Sequence, residues 1–311
     1  MPLLAEYGLI PDVFDSSCYS SADLCDVHLQ NLKEALLTDG IVRNLRNGEW
    51  LSAFRNDSRP WHIRGKELLK KLVTQNRLRL HPSRLSGPPA NDVDWCNEAL
   101  ASHSTVPLHG VIANDSTWGR FPNNALISPI SRLASASWWS SRSCSVRLRR
   151  TLAEYEQHLA LLLACSNSVM FIDAHVDPSQ PRYSDFVKLV CKLGGRFPKP
   201  LIEIHRVCYI GSGPSRQLVP TSDWETRFRQ AMSPSLTAAG LSAKVLIWDD
   251  FHDRHIISDL IGIGMLNGLD TTTASTKTTW TRLGRTDRDD VQREFDPASG
   301  THSPRGQFVL P

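Results

Sequence analysis

The sequence contains no CxxC pair, although seven of its 311 residues are cysteines. Structural zinc sites use closely spaced cysteines, so this absence argues against a zinc-binding module, and we expect reduced thiols in apolar segments. The chain also lacks any run approaching the roughly 18 uninterrupted apolar residues that a membrane-spanning helix needs. Its first fifteen residues carry acidic side chains and no basic segment, unlike a secretory leader. We therefore expect a cytoplasmic protein with no membrane partner.

The net charge is also small, since the formal charge is +3 and the isoelectric point is about 8.5. That mild basicity does not require a nucleic-acid partner, and it is compatible with an enzyme that acts on phosphates. Lysine is the rarer cation, with 9 lysines against 26 arginines. A planar guanidinium is the better fork for phosphate oxygens, although a GC-rich gene would give the same excess. With 41% hydrophobic residues, the chain can bury a core in one or two domains.

Residues 1–105 form the first predicted part, which is mixed and largely helical and has no assigned role. Apolar residues recur at helical intervals over residues 23–40 and 64–78. Between these segments, Asn47 and Gly48 predict the tight turn of a short hairpin. A loop rich in proline and serine over residues 81–94 predicts a domain boundary.

Two features of this region and the next have both a structural and a functional interpretation. Basic residues cluster between Arg64 and Arg79, where they form either a solvated helix face or a track for a nucleic-acid backbone. The neighbouring tryptophans Trp138 and Trp139 either fill a core or stack on bases.

Residues 106–311 are predicted to form an α/β domain. From Arg147 onward, helical segments alternate with short apolar strands such as SVMFIDAHV, PLIEIHRVCYIG and AKVLIW. Strands that alternate with helices predict a sheet that is largely parallel in its middle and covered by helices.

A polar cluster follows the last of these strands in KVLIWDDFHDRHIISD, where His252, Arg254 and Asp259 stand in the order H-x-R-x4-D. Strand residues alternate sides, so an extended backbone would project His252 and Arg254 the same way. An imidazole and a guanidinium at that spacing are able to converge on one phosphate.

This pattern resembles the phospholipase D superfamily, whose signature is H-x-K-x4-D, over roughly residues 150–311. It is most similar to a subgroup with arginine in the lysine position, such as the phospholipase D-like C-terminal domain of MIT proteins. The resemblance implies a mixed sheet flanked by helices and a reaction without metal or cofactor. It casts His252 as the nucleophile that becomes phosphohistidine, Arg254 as the phosphate holder and Asp259 as the carboxylate that orients the ring. Asn267 is the nearest analogue of the family's G-S-x-N motif.

Enzymes of this family use two histidines, and this chain has one motif. A homodimer would supply the second histidine, or His175 or His205 would substitute for it, because both lie on predicted strands whose ends meet at one edge of a sheet. Arg206, beside His205, is included with them among the predicted substrate contacts. As an alternative, Asp173, His175 and Asp177 alternate onto one face and with His255 would bind a metal.

The predicted function is that of a metal-independent nuclease that cleaves DNA or RNA through His252. Two departures from the family pattern, arginine for lysine and the missing serine, favour an alternative. In that alternative the chain binds phosphate or nucleic acid without cleavage, as a subunit of a larger prokaryotic defence or mobile-element complex.

Overall fold

The computed structural model describes residues 3–55, 59–211, 213–272 and 276–311. The chain folds into two compact units, which we call unit 1 (residues 3–142) and unit 2 (residues 143–311). Among the described residues, no helix is long and apolar enough to cross a membrane.

Unit 1 is built on a five-stranded parallel sheet. Its strands are β1 (Ala5–Leu9), β2 (Gly40–Asn44), β3 (Leu78–Leu80), β4 (Gly110–Ala113) and β5 (Ile127–Pro129). Its helices are α1 (Ala22–Asp39), α2 (Glu49–Ala53), α3 (Ile63–Thr74), α4 (Asp92–His103), α5 (Asp115–Trp118) and α6 (Ser137–Ser140). The strands lie in the order β3-β2-β1-β4-β5, and each neighbouring pair is parallel.

The two long predicted helices of this region are confirmed as α1 and α3, but the predicted hairpin is wrong. Helix α1 begins at the cap Ser21, whose side chain accepts from the Leu24 N–H, and it buries a stripe of apolar residues. Strand β2 then pairs in parallel with β1 and β3 rather than with a strand that follows it. Asn47 and Gly48 do adopt positive φ, but they turn the chain into the short helix α2.

The predicted boundary at 105/106 lies inside unit 1, because β4 and β5 follow it and complete the sheet. The division falls instead between Arg142 and Ser143. Trp138 and Trp139 are partly buried and pack on the buried Tyr7, with ring centroids 5.8 and 5.4 Å away, so this pair lies against the core of unit 1.

Unit 2 is built on an eight-stranded mixed sheet, as the sequence predicted for the C-terminal region. Its strands are β6 (Ser145–Arg149), β7 (Ser168–Asp173), β8 (Leu201–Val207), β9 (Tyr209–Ile210), β10 (Gln217–Leu218), β11 (Ala243–Trp248), β12 (Arg254–Ser258), β13 (Gly262–Met265), β14 (Lys277–Arg282) and β15 (Pro304–Leu310). Its helices are α7 (Leu152–Cys165), α8 (Ser184–Cys191), α9 (Thr221–Ala239) and α10 (Arg285–Glu294). The large sheet has the order β15-β11-β8-β7-β12-β13-β14-β6, while β9 and β10 form a separate small pair.

The middle of the large sheet is parallel, because β8 pairs in parallel with both β7 and β11. All other neighbours in this sheet, including β12 beside β7, are antiparallel. Helices cover both faces around β8. His205 on one face meets Phe295 at the end of α10, and Arg206 on the other meets Trp224 of α9. Because Arg254 pairs with Asp173, the carboxyl end of β7 lies beside the beginning of β12.

Candidate functional site

A polar cavity of about 510 Å³ lies in unit 2, where β7 ends and β12 begins. Three arginines, one histidine and two buried aspartates face it, together with an amide and a phenol. The residues that line the cavity are Arg150, Asp173, His175, Arg182, Tyr183, Gly211, Arg254, Leu266, Asn267, Gly268 and Asp270.

Asp173, the last residue of β7, holds the loops around the cavity in place. Its side chain is fully buried, and Oδ1 accepts from the His175 N–H at 3.0 Å. Oδ2 accepts from the Leu269 N–H at 2.9 Å and from the Tyr183 hydroxyl at 3.4 Å. A Cβ atom on Gly268 would stand 2.3 Å from Oδ2, so only glycine permits this approach. Asp173 therefore positions both the His175 loop and the Asn267–Gly268 loop.

Arg150 and Asp270 form an ion pair at the wall of the cavity, between Arg150 Nη2 and Asp270 Oδ1. The Tyr155 hydroxyl donates to the Asp270 carbonyl at 3.2 Å and fixes the same loop. Burial alone would lower the pKa of Arg150, but the bonds to Asp270 and the charge of its carboxylate raise that pKa overall. Since this guanidinium is already matched by a carboxylate, it serves mainly as part of the frame.

Arg254 and Arg182 bring positive charge to the cavity. Arg254 is half-buried at the start of β12, opposite Asp173 in the strand register, and its Nη1 reaches the His252 carbonyl at 3.5 Å. Arg182 is exposed, its Nε donates to Gln180 Oε1 at 3.0 Å, and its Cζ lies 5.2 Å from the centre of the Tyr183 ring. Among the described residues, no carboxylate forms an ion pair with either guanidinium. The cavity is thus suited to an anion.

His175 is the histidine of the cavity, and it is half-buried. Burial lowers the pKa of its imidazole, Asp173 opposes that shift, and the positive charges of Arg254, Arg206 and Arg182 lower the pKa further. These effects together favour the neutral form of the ring. A neutral imidazole is both a hydrogen-bonding group and a competent nucleophile.

Of the predicted catalytic triplet, the structure brings only Arg254 to the cavity lining. His252 lies in the exposed connection between β11 and β12 rather than on a strand, so the predicted strand-like alternation with Arg254 does not apply. Asp259 follows the far end of β12, where its Oδ1 accepts from the Asn167 and Ser168 N–H groups at 2.9 and 3.4 Å. Five residues of extended chain separate it from Arg254 by about 16 Å. Asp259 therefore does not orient His252, and it instead anchors the start of β7.

His205 and Arg206 lie in the interior of unit 2 rather than in the cavity. His205 is fully buried, stacks on Trp248 and accepts from its indole N–H at 3.1 Å through Nδ1. Arg206 donates to the carbonyl oxygens of Val176, Val207 and Tyr209 at 2.7–2.9 Å. The predicted substrate contacts at both positions are wrong, because helices cover both faces of β8 here. Two other predicted contacts, His175 and Asn267, do line the cavity.

The alternative metal site is not assembled from its predicted residues. Asp177 accepts from Ser179 and Gln180 at 2.6 and 3.0 Å and lies 3.4 Å from Arg227. His255 lies 3.8 Å from Asp253 instead. Asp173 is engaged by the two loops described above, so these side chains belong to separate networks.

Sequence reasoning missed Arg150, Arg182 and Asp270 as cavity residues. None of them lies in a strand or an α-helix, and Arg150 and Asp270 are 120 positions apart, so no local spacing joins them. The available signal was indirect, since Arg182 lies just before α8, the helix that follows the strand carrying Asp173.

Comparisons with known proteins add little. No family model and no curated protein matches the sequence. Among solved structures, TrmBL2, an archaeal chromatin protein reported to show a novel mode of DNA binding, matches with a TM-score of 0.30. The identity is 9%, over 77% of this chain and 81% of that chain. At this level of similarity the match assigns neither a fold nor a partner.

Proposed function

We propose that unit 2 is a phospholipase D-like domain whose cavity binds the phosphate of a phosphodiester, and that the phosphodiester belongs to nucleic acid. The observation that carries this proposal is the convergence of Arg254, Arg182 and His175 in one cavity, with no carboxylate paired to either arginine among the described residues.

The chemistry of the lining fits an ester of phosphate. Two guanidinium groups offer planar forks for the non-bridging oxygens, which is the recognition that arginine performs best. The Asn267 amide and the His175 ring add hydrogen bonds. A volume of about 510 Å³ lies within the range of ligand cavities and is large enough for more than a bare ion.

Nucleic acid is the favoured source of the phosphate because Arg182 stands exposed at the cavity. An exposed guanidinium is able to contact a neighbouring phosphate of the same chain, which a small isolated ligand would lack. Contacts of this kind release counterions, so binding should weaken as salt rises.

Fluorescence anisotropy with a labelled single-stranded oligonucleotide tests this proposal. We expect Arg254→Ala to weaken binding about tenfold or more at low salt, since a hydrogen bond to a charged group contributes about 1.5–3 kcal/mol. The same variant should reduce the slope of log affinity against log salt by about one phosphate contact.

The matched control is Arg285→Ala, which removes an equal charge from a residue whose side chain is 74% exposed in α10. Equal affinity and an equal salt slope in Arg254→Ala, Arg285→Ala and the wild type would refute the cavity as the phosphate site. Oligonucleotides of one sequence, made as DNA and as RNA, show which of these two nucleic acids the site binds more tightly.

Hydrolysis is the second candidate function, and the positions of two histidines favour it. His175 lines the cavity, and His252 precedes the cavity residue Arg254 by two positions, with its carbonyl oxygen 3.5 Å from Arg254 Nη1. Both histidines leave the sheet at the cavity end, which offers the two imidazoles that the phospholipase D reaction uses. One imidazole, in its neutral form, would attack phosphorus and displace the leaving oxygen, which would take a proton from the other imidazole in its protonated form. Water, giving its proton back to that second ring, would then release a phosphomonoester from the phosphohistidine.

This candidate predicts cleavage of an oligonucleotide that EDTA does not abolish and that both His252→Ala and His175→Ala eliminate. Peptide mapping after a denaturing quench at alkaline pH, where the acid-labile phosphohistidine survives, would identify which ring carries the phosphoryl group. Binding without cleavage in the wild type would leave the phosphate site standing and exclude the reaction.

A further inference from the structure

A second cluster of ligand-type side chains lies in unit 2, outside the cavity lining. It joins Asp253, just before β12, to Glu294 at the end of α10 and His302 ahead of β15. One ligand atom from each residue lies within 4.8 Å of the others. The His302 Nε2 and Glu294 Oε1 atoms are 3.0 Å apart.

We propose that Asp253, Glu294 and His302 bind a divalent transition-metal cation. Ligand atoms about 2.0–2.2 Å from such a cation stand about 3–4 Å from one another, which small side-chain adjustments would reach here. One imidazole nitrogen with two carboxylate oxygens suits Mn²⁺ or Zn²⁺ better than Ca²⁺, which takes oxygen ligands. Three protein ligands leave further positions for water.

The imidazole is the built part of this site. The His302 ring packs on Phe295 at 4.8 Å and on Phe251 and Trp248 at 6.0 Å between ring centroids, and its side chain is only 14% exposed. These rings restrict its rotation and hold Nε2 toward the carboxylates.

The carboxylates form the open side, because the side chains of Asp253 and Glu294 are 47% and 37% exposed. A cation would therefore enter from solvent. His255 stands beside the cluster with its Nε2 3.8 Å from Asp253 Oδ1, within reach of joining as a fourth ligand.

The position of Asp253 gives such a cation a structural consequence. Asp253 lies between His252 and Arg254, so a bound cation would tie the connection from β11 to β12 to the end of α10 and to the turn before β15. Asp253 lies 41 positions before Glu294 in the sequence, and a cation that binds only the folded arrangement stabilises it. Cation binding itself does not depend on the proposed phosphate site.

Electron paramagnetic resonance of Mn²⁺ titrated into the metal-free full chain tests the proposal. Mn²⁺ is the suitable probe because it prefers oxygen and nitrogen ligands, which keeps the seven free cysteines out of the measurement. We expect one cation per chain and a thermal unfolding midpoint that rises with Mn²⁺. Asp253→Asn and Glu294→Gln should each weaken the binding about tenfold or more and abolish the rise.

Glu225→Gln is the matched control, since Glu225 is an exposed carboxylate in an ion pair on α9. It should bind Mn²⁺ like the wild type. Equal Mn²⁺ affinity in Asp253→Asn, Glu294→Gln and Glu225→Gln would overturn the proposal, and so would the absence of any bound Mn²⁺ in the wild type. Because these readouts use no phosphate ligand, a failure to bind Mn²⁺ would not count against the phosphate site. Likewise, a failure to bind phosphate would not count against the cation site.

Discussion

Arg43 in unit 1 and Arg254 in unit 2 both lie on sheets, yet their surroundings differ. The Arg43 side chain is fully buried, and it donates to Glu6 at 2.8 Å, to Ser102 at 3.0 Å and to the Val106 carbonyl at 2.8 Å. Arg254 faces a cavity, and no carboxylate pairs with it in the described part of the chain.

The same contrast extends to other arginines. In unit 1, Arg46 and Arg59 pair with acidic groups of the same unit. In unit 2, Arg206 is held by carbonyl oxygens and stacks on Trp224 with its Cζ 3.1 Å from the ring centre. An arginine whose guanidinium is buried and bonded to groups inside the protein belongs to the framework, whereas one that faces an open polar cavity is available to an anion.

Breaking the buried pair of unit 1 should have the largest effect. Arg43→Ala leaves the buried Glu6 with one of its two arginine partners removed, and we expect the free energy of unfolding to fall by about 3–5 kcal/mol. Urea denaturation measures this loss. Arg79→Ala is the control, because Arg79 is 31% exposed and pairs with the same Glu6, and it should cost less than about 1 kcal/mol.

The comparison also needs the oligonucleotide affinity of Arg43→Ala, measured at a temperature where this variant stays folded. We expect that affinity to equal the affinity of the wild type. A loss of affinity with the fold intact would show that the distinction between framework and ligand-facing arginines is wrong.

One buried carboxylate of unit 1 is not fully compensated, and it predicts a pH dependence. Burial raises the pKa of Asp12 to about 6, and its Oδ2 has no hydrogen-bond partner among the described residues. Since the folded pKa exceeds the unfolded value, the folded state prefers the protonated acid. Stability is therefore lost as pH rises from about 4 through 6.

Asp12→Asn should remove that loss while keeping an acceptor for the Asn114 N–H. From pH 4 to pH 8, the stability of the variant relative to the wild type should rise by about 3 kcal/mol, the equivalent of a two-unit pKa difference. Urea denaturation at both pH values measures the change. Asp115→Asn, at an exposed position, is the control, and a relative stability that does not change with pH would contradict the assignment.

A smaller effect should follow from crowding the loop that Asp173 holds. A Cβ atom at Gly268 would lie 2.3 Å from Asp173 Oδ2, whereas one at Gly264 would make an ordinary contact of 3.4 Å with Leu283. We expect Gly268→Ala to cost about 1–3 kcal/mol of stability and to weaken oligonucleotide binding severalfold. Gly264→Ala should leave binding unchanged, and equal behaviour of the two variants would show that the Asp173 contact does not shape the cavity.

The sequence predicted the sheet of unit 2 better than that of unit 1. Strands β7, β8 and β11 are apolar runs between amphipathic helices, which is the usual pattern of buried parallel strands. Strand β2 instead contains Arg43 and Asn44, and the buried Arg43 is bonded to Glu6, 37 positions away. Its pattern therefore resembled an exposed hairpin, and its parallel pairing has no local signal.

Predicted site residues that flank strand ends line the cavity, whereas those inside a strand do not. His175, Arg254 and Asn267 lie at or beyond the ends of strands and line the cavity. His205 and Arg206 lie within β8, where both faces are covered, so alternation alone does not separate a ligand-facing side chain from a packed one. Asp259 shared a motif spacing with Arg254, but a strand between them holds them apart.

The most direct test of the phosphate site is a nuclear magnetic resonance titration of the His175 imidazole with inorganic phosphate, with the signal assigned through His175→Gln. In the free protein the pKa of this ring should lie below its ordinary value, because of burial and the nearby arginines. Bound phosphate should raise that pKa, and Arg254→Ala should remove the response. A His175 signal that is unchanged by phosphate, while oligonucleotide binding persists, would contradict the account.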